Sequence, residues 1–237
     1  MRTARCAPAA LAAALAAALL SACAPQVREQ LATQRRAPAE IPAAYYEQLA
    51  AQGKPVYRVD PAQSLVAIEV RRAGSLARLG HDHVVASHDV RGYLAPDAGR
   101  ADVYVPLERL AVDEPALRAE AGFDTQPSET DIAGTRGNML EKVLDAEKFP
   151  FALIRVSGAA AGAGEATLNV AITLHGTTRA LQVPARIETS AGEIDVSGRV
   201  AFDQTDFGIA PFSVLGGAIA VRNRVDLRFR IRARRAG

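Results

Sequence analysis

Beyond about residue 55, apolar and polar side chains alternate with a period of two along most of the chain. The longest instance runs from Ala166 to Glu188. Leu168, Val170, Ile172 and Leu174 share one parity, against Thr167, Asn169, Ala171 and Thr173. After the polar segment His175-Gly176-Thr177-Thr178-Arg179, Leu181, Val183, Ala185 and Ile187 oppose Gln182, Pro184, Arg186 and Glu188. Successive strand side chains point to opposite faces, so the pattern predicts two antiparallel strands, each with one apolar face. The same alternation returns at Val66-Ile68-Val70, Val103-Val105-Leu107, Ile154-Val156, Ile194-Val196, Val200-Phe202 and Val225-Leu227-Phe229-Ile231. In the last run the intervening residues are Arg224, Asp226, Arg228, Arg230 and Arg232. They read as the solvated outer face of a strand rather than as a nucleic-acid stripe.

Gly and Pro punctuate about eight such strands at the spacing of a sandwich or barrel. One helix interrupts them. Ser128 and Asp131 give a capping signal, and Ile132, Met139, Leu140, Val143 and Leu144 follow on a helical stripe that Pro150 ends. The insert from Asp113 to Gln126 is irregular, with a helical turn expected at Pro115–Glu120, and Tyr45–Gln52 is expected as a short helix before Gly53. A single helix cannot cover every apolar strand face. The strands must therefore bury their faces against one another, as two sheets or as a closed barrel, and a barrel of about eight strands can hold one small ligand.

The first residues belong to a different class. Arg2 and Arg5 precede an uncharged apolar stretch, Ala9 to Leu20, which suits a secretory signal and is short for a membrane span. Leu20-Ser21-Ala22-Cys23 then resembles a bacterial lipobox, which implies removal of residues 1–22 as a signal peptide and acylation of Cys23. Two or more acyl chains anchor a protein stably. Residues 23–54 are expected as the lipidated Cys and a tether carrying the short helix, and residues 55–237 as the folded domain. Cleavage leaves no Cys for a disulfide or a thiolate nucleophile. Removing Arg2 and Arg5 takes 28 Lys and Arg to 26, equal to the 26 Asp and Glu, so nothing in the charge points to nucleic acid.

Of the four His, His81, His83 and His88 lie close together. On an extended segment His81 and His83 share a face that Asp82 opposes, which makes the pair candidate metal ligands. A metal site needs three or four donors, and His88 has the wrong parity, so contact with a ligand or with loop backbone is the simpler expectation. There is no C-x-x-C-H for haem attachment, no G-x-S-x-G elbow and no P-loop. His175 beside Thr177 suits turn chemistry, and no enzyme activity is expected.

Several segments together resemble the YceI-like family of bacterial envelope proteins, described as polyisoprenoid-binding-like. They are Tyr57-Arg58-Val59-Asp60 with Ser64, Gly92, Asn138-Met139-Leu140 through Leu144-Asp145-Ala146-Glu147-Lys148-Phe149-Pro150, Ile172 through Arg179, and Phe202 through Ile209. The resemblance implies an all-β fold with one helix: an antiparallel, eight-stranded, lipocalin-like extended β-barrel with a ligand-sized lumen. It also implies that the lumen holds an isoprenoid or similar amphiphile. The segment Gly74 to His83 departs from the family, whose members commonly have Gly followed by Phe there.

The leading expectation is an envelope lipoprotein, anchored by Cys23 to the membrane and facing the periplasm, that binds a polyisoprenoid, an isoprenoid quinone or a fatty lipid. Ala24 in place of an Asp after Cys23 leans towards the outer membrane, by resemblance. The expected lining comes from Val66 and Ile68, Val103 and Val105, Leu168, Val170 and Ile172, Val183, and Val225, Leu227 and Phe229. The alternatives are a metal-binding or haem-iron protein using His81 and His83, and a structural partner-binding module. No cofactor beyond a bound lipid is expected, and the oligomeric state is left open.

Overall fold

The computed structural model describes residues 37–158 and 162–236. The expected signal peptide, Cys23 and residues 24–36 of the tether lie outside the described residues. One compact unit covers Pro38–Gly237. It opens with helix α1 (Ala43–Ala51). There follow β1 (Tyr57–Val59), β2 (Leu65–Val70), β3 (Arg72–Ala73), β4 (His83–Ser87), β5 (Arg91–Ala95), β6 (Arg100–Pro106) and β7 (Ala111–Val112). Helices α2 (Pro115–Glu120) and α3 (Glu129–Asn138) come next. The second half of the chain supplies β8 (Phe151–Ser157), β9 (Gly164–Leu174), β10 (Thr177–Ser190), β11 (Glu193–Asp203), β12 (Ser213–Val214), β13 (Ile219–Val221) and β14 (Arg224–Arg235).

Eight strands close a barrel in the order β1-β5-β6-β8-β9-β10-β11-β14, and the pairing of β14 with β1 shuts it. Every pairing in it is antiparallel. Strand β14 is long enough to carry two short partners on one edge. Its end pairs β1, with Val59 opposite Ala233, and its middle pairs β2, with Val66 opposite Phe229. The sheet then continues through β4 and β7 beyond β2. A separate small sheet, β12-β13-β3, forms from the loops that follow β2 and β11. Closure pairs all eight barrel strands on both sides, which is the physical reason for a barrel where every strand has an apolar face to hide.

The predicted hairpin is present, with a tighter turn than its polar composition suggests. Thr177 already pairs with Leu174, which leaves a two-residue turn, His175-Gly176, with φ of 51° and 72°. Two positive φ values match the twist of a two-residue hairpin. Gly176 is needed for a second reason: a Cβ there would stand 2.7 Å from the ring of Phe149, which also packs at 4.9 Å on His175. The Asp145–Pro150 segment, folded back by a bond from Phe149 N–H to Asp145 C=O (2.9 Å), thus seats on the hairpin. Two of the segments that carried the family resemblance are one packing unit.

Helix α3 begins as expected. Ser128 Oγ accepts from Asp131 N–H, and the Asp131 side chain accepts from Ser128 N–H. It runs straight into a π-helical turn, Met139–Val143. The wider turn rotates the apolar stripe, so that Met139, Val143 and Leu144 face the barrel interior and Leu140 does not. Arg136 donates to the carbonyls of Leu110 and Glu108 and ties the helix to the β6–β7 connection.

The helix expected within the tether belongs to the compact unit. Tyr46 of α1 is 1% exposed, stacks on Tyr93 at 5.1 Å, and donates its hydroxyl to Asp102 Oδ2 at 2.8 Å. Asp102 also accepts from Arg100 Nε (2.6 Å) and Arg155 Nε (2.8 Å) on the outer face of the barrel. A sequence of Ala, Tyr and Gln shows too little periodicity to reveal this docking, which one aromatic side chain and one carboxylate accomplish.

Candidate functional site

The inward faces of the barrel do not meet at the centre. They enclose a cavity of about 750 Å³. All eleven residues expected to line the lumen are on its wall: Val66, Ile68, Val103, Val105, Leu168, Val170, Ile172, Val183, Val225, Leu227 and Phe229. Val225 and Ile231 both touch the cavity from β14, so it extends along that strand for about 20 Å at about 3.3 Å per residue. Val196 and Val200 of β11, Tyr57, Leu94 and the π-turn residues complete much of the apolar wall. Gly198 of β11 permits one close approach. It pairs opposite Phe229, and a Cβ on it would lie 2.8 Å from that ring and 2.5 Å from the carbonyl of Pro184.

Strand β4 contributes Val85 and Ser87, which the pattern did not mark as lining. Its sequence His83-Val84-Val85-Ala86-Ser87 does not alternate, because both faces are covered. Val84 and Ala86 pack outward with Ala67 against Leu117 of α2. A strand buried on both sides reads as an unbroken apolar run and conceals its parity.

Polar groups collect at two places on the wall. At one end lie Asp97 and Thr189. At the other, beside the small sheet, lie Arg72, His81 and His83. His81 and His83 do share the inward face, with ring centroids 6.2 Å apart. Asp82 turns away, and its Oδ1 accepts from Arg72 N–H at 2.8 Å. His88 is exposed and bonds Glu114 at 2.8 Å, and His175 stays in its hairpin turn. Among the described residues no group of three or more His, Cys, Asp or Glu is arranged to hold a metal ion.

What the sequence concealed is the support behind His83. Its Nδ1 lies 2.6 Å from Asp113 Oδ2. The Asp113 side chain is fully buried, and its Oδ1 accepts from Val84 N–H (3.0 Å) and Arg118 Nη1 (2.6 Å). Burial pushes this carboxyl up. The bonds from His83, Val84 and Arg118 more than offset it and hold Asp113 below the usual carboxylate range. Arg118, itself 7% exposed, also donates to the carbonyls of Asp82 and Thr125. Asp113 and Arg118 come from the insert expected to be irregular, about thirty residues from His83, and no local spacing links them. Asp113 adopts φ of 58°, a left-handed conformation that returns its carboxylate to β4.

The outer face carries the buried Asp102 with its donors Tyr46, Arg100 and Arg155. Its arginine row is met by carboxylates: Arg228 by Glu120 (2.7 Å), Arg230 by Asp195 (2.8 Å), and Arg234 by Glu193 (3.1 Å). No helix among the described residues is long and apolar enough to cross a membrane.

Comparison with known proteins agrees with this architecture. The fold is similar to that of a polyisoprenoid binding domain from Saccharophagus degradans implicated in plant cell wall breakdown. The TM-score is 0.56 at 14% identity, over 77% of this chain and 100% of that one. It is also similar to Burkholderia cenocepacia BcnA, with a TM-score of 0.50 at 16% identity, over 73% of this chain and 98% of that one. No curated protein matches the sequence. The model of the YceI-like domain matches residues 57–233, the span that contains the whole barrel but its last two residues, and the chain belongs to the YceI-like family.

Proposed function

We propose that the barrel binds one long-chain amphiphile, of the polyisoprenoid, isoprenoid-quinone or fatty type, and that the protein is a lipoprotein held at the periplasmic face of the outer membrane through Cys23. The observation that carries the reading is the cavity of about 750 Å³, which every barrel strand lines, chiefly with Val, Ile, Leu and Phe. Apolar burial supplies the driving force, about 25 cal/mol per Å² before the ordering costs of association. A wall of this kind selects by length and shape, and a few polar groups at its ends choose the head group. The similarity to a domain named for polyisoprenoid binding supports the same ligand class. The reading is one of binding rather than catalysis: among the described residues the polar groups at the wall contain no nucleophile hydrogen-bonded to a base. The anchor rests on the L-S-A-C sequence at residues 20–23.

One experiment reads both parts. The full chain is expressed with its own leader in a bacterium with two membranes, purified from the membrane fraction, and studied by mass spectrometry. The expected result is an acylated N-terminal Cys23 peptide and, after organic extraction, close to one long-chain lipid per barrel. An empty barrel would remove the ligand reading, and an unmodified Cys23 the anchor.

A further inference from the structure

We infer that the histidine end of the cavity is a head-group site for an uncharged hydroxyl, such as the terminal alcohol of a polyprenol or the phenol of a reduced isoprenoid quinone, which donates a hydrogen bond to His83 Nε2. The inference rests on the reading of the barrel as a long-chain binding site.

The ring of His83 is a built feature rather than an incidental polar residue on an apolar wall. Its Nδ1 is 2.6 Å from Asp113 Oδ2, and Asp113 is itself fixed by Val84 N–H and Arg118 Nη1. An ionised carboxylate only accepts, so Nδ1 carries the hydrogen of that bond. In the neutral ring Nε2 is then left as an acceptor, and His83 lines the cavity. Two positions earlier, His81 lines the same end, and its Nδ1 is buried without a hydrogen-bond partner among the described residues. A buried polar atom of this kind costs free energy until something bonds it, which favours a ligand oxygen nearby.

Charge distinguishes an alcohol from a phosphate. Asp82 and Asp113 flank the pair, Asp124 lies at 3.6 Å from Arg72, and Asp131 at the start of α3 is within electrostatic reach of both rings. Among the described residues Arg72 is the cation that lines this end of the cavity, and Arg118 stands behind His83; both are engaged. Arg72 faces Asp82 (3.7 Å) and Asp124, and Arg118 faces Asp113. A phosphate needs cationic donors free to fork onto its oxygens, whereas a hydroxyl needs one acceptor. With its one lining cation, Arg72, committed to Asp82 and Asp124, this end of the wall suits the hydroxyl.

The test is the affinity of the full chain for three probes: a polyprenol, its monophosphate, and squalene as a hydrocarbon without a head group. Wild type is expected to bind the alcohol about tenfold more tightly than squalene, and the phosphate no more tightly than the alcohol. In His83→Leu the alcohol and squalene affinities converge. His83→Gln, which still donates to Asp113, provides a second route should the Leu variant fail to unfold cooperatively, and is expected to lower the alcohol advantage at least threefold. An alcohol advantage that survives in the folded variants, or a wild type that prefers the phosphate, overturns the head-group site and leaves the barrel reading intact. A wild type that binds none of the three probes removes both.

Discussion

Asp102 shows how one buried carboxylate organises the outer surface. It is 2% exposed and accepts from Tyr46, Arg100 and Arg155 at once. Burial pushes its carboxyl up, and bonds from Arg100, Arg155 and Tyr46 bring it below the usual range. A lowered folded-state value contributes stability above the ordinary carboxylate value of 3.8, and that contribution is lost as pH falls through the folded value. Asp102→Asn is therefore expected to lose about 3 kcal/mol at neutral pH, the low end for breaking a buried ion pair, because the two arginines are partly exposed. Its stability should also fall less steeply below pH 3.8 than that of wild type, since the titrating carboxyl of Asp102 is gone while that of Asp113 is unchanged. Urea unfolding across the acid range measures both, and an identical acid limb in the two proteins would contradict the assignment. Nothing local in the sequence marks Asp102 as buried. It sits on the polar parity of β6 and looks like a solvated residue until α1 covers it.

At the scale of elements, the β9–β10 hairpin and the Asp145–Pro150 segment define each other. Gly176 meets two demands, φ of 72° and the space taken by the Phe149 ring. Gly176→Ala is expected to destabilise by about 2 kcal/mol, the sum of a left-handed Ala and an overpacked contact. In a Phe149→Ala background the same change should cost clearly less, because the clash is gone and only the backbone term is left. Thermal unfolding of the four proteins of this cycle provides the coupling energy, and strict additivity would show that the contact does not constrain the turn. The strands of this hairpin were legible in the sequence because each has one wet face. Strand β4 was not, because α2 and the cavity wall bury both of its sides.

At the scale of the whole molecule, the cavity exists because eight strands close at a radius their side chains do not fill. Val196 of β11 points into it opposite Ile187 and Ile231. Val196→Phe shortens the usable length. It is expected to weaken binding of a long polyprenol about tenfold, about 1.4 kcal/mol, while a chain of about fifteen carbons loses less than threefold. Competitive displacement of a fluorescent fatty acid compares the two, and an equal loss for both lengths would argue against selection by length in the lumen.

The sequence by itself determined the strands that alternate, the capped helix α3, the parity of the lining from Val66 to Phe229, and the face that His81 shares with His83. Each is a local property, set by the two-residue period of a strand or the turn of a helix, and needs no knowledge of neighbours. Tertiary structure alone decided three things. Whether the inward faces would meet or stand apart depends on closure and strand count. Whether α1 belonged to the domain depends on what Tyr46 finds beneath it. The partners of His83, Asp113 and Arg118, are brought to it by a loop whose residues carry no periodicity, and only the closed chain puts a carboxylate behind that ring and a cavity in front of it.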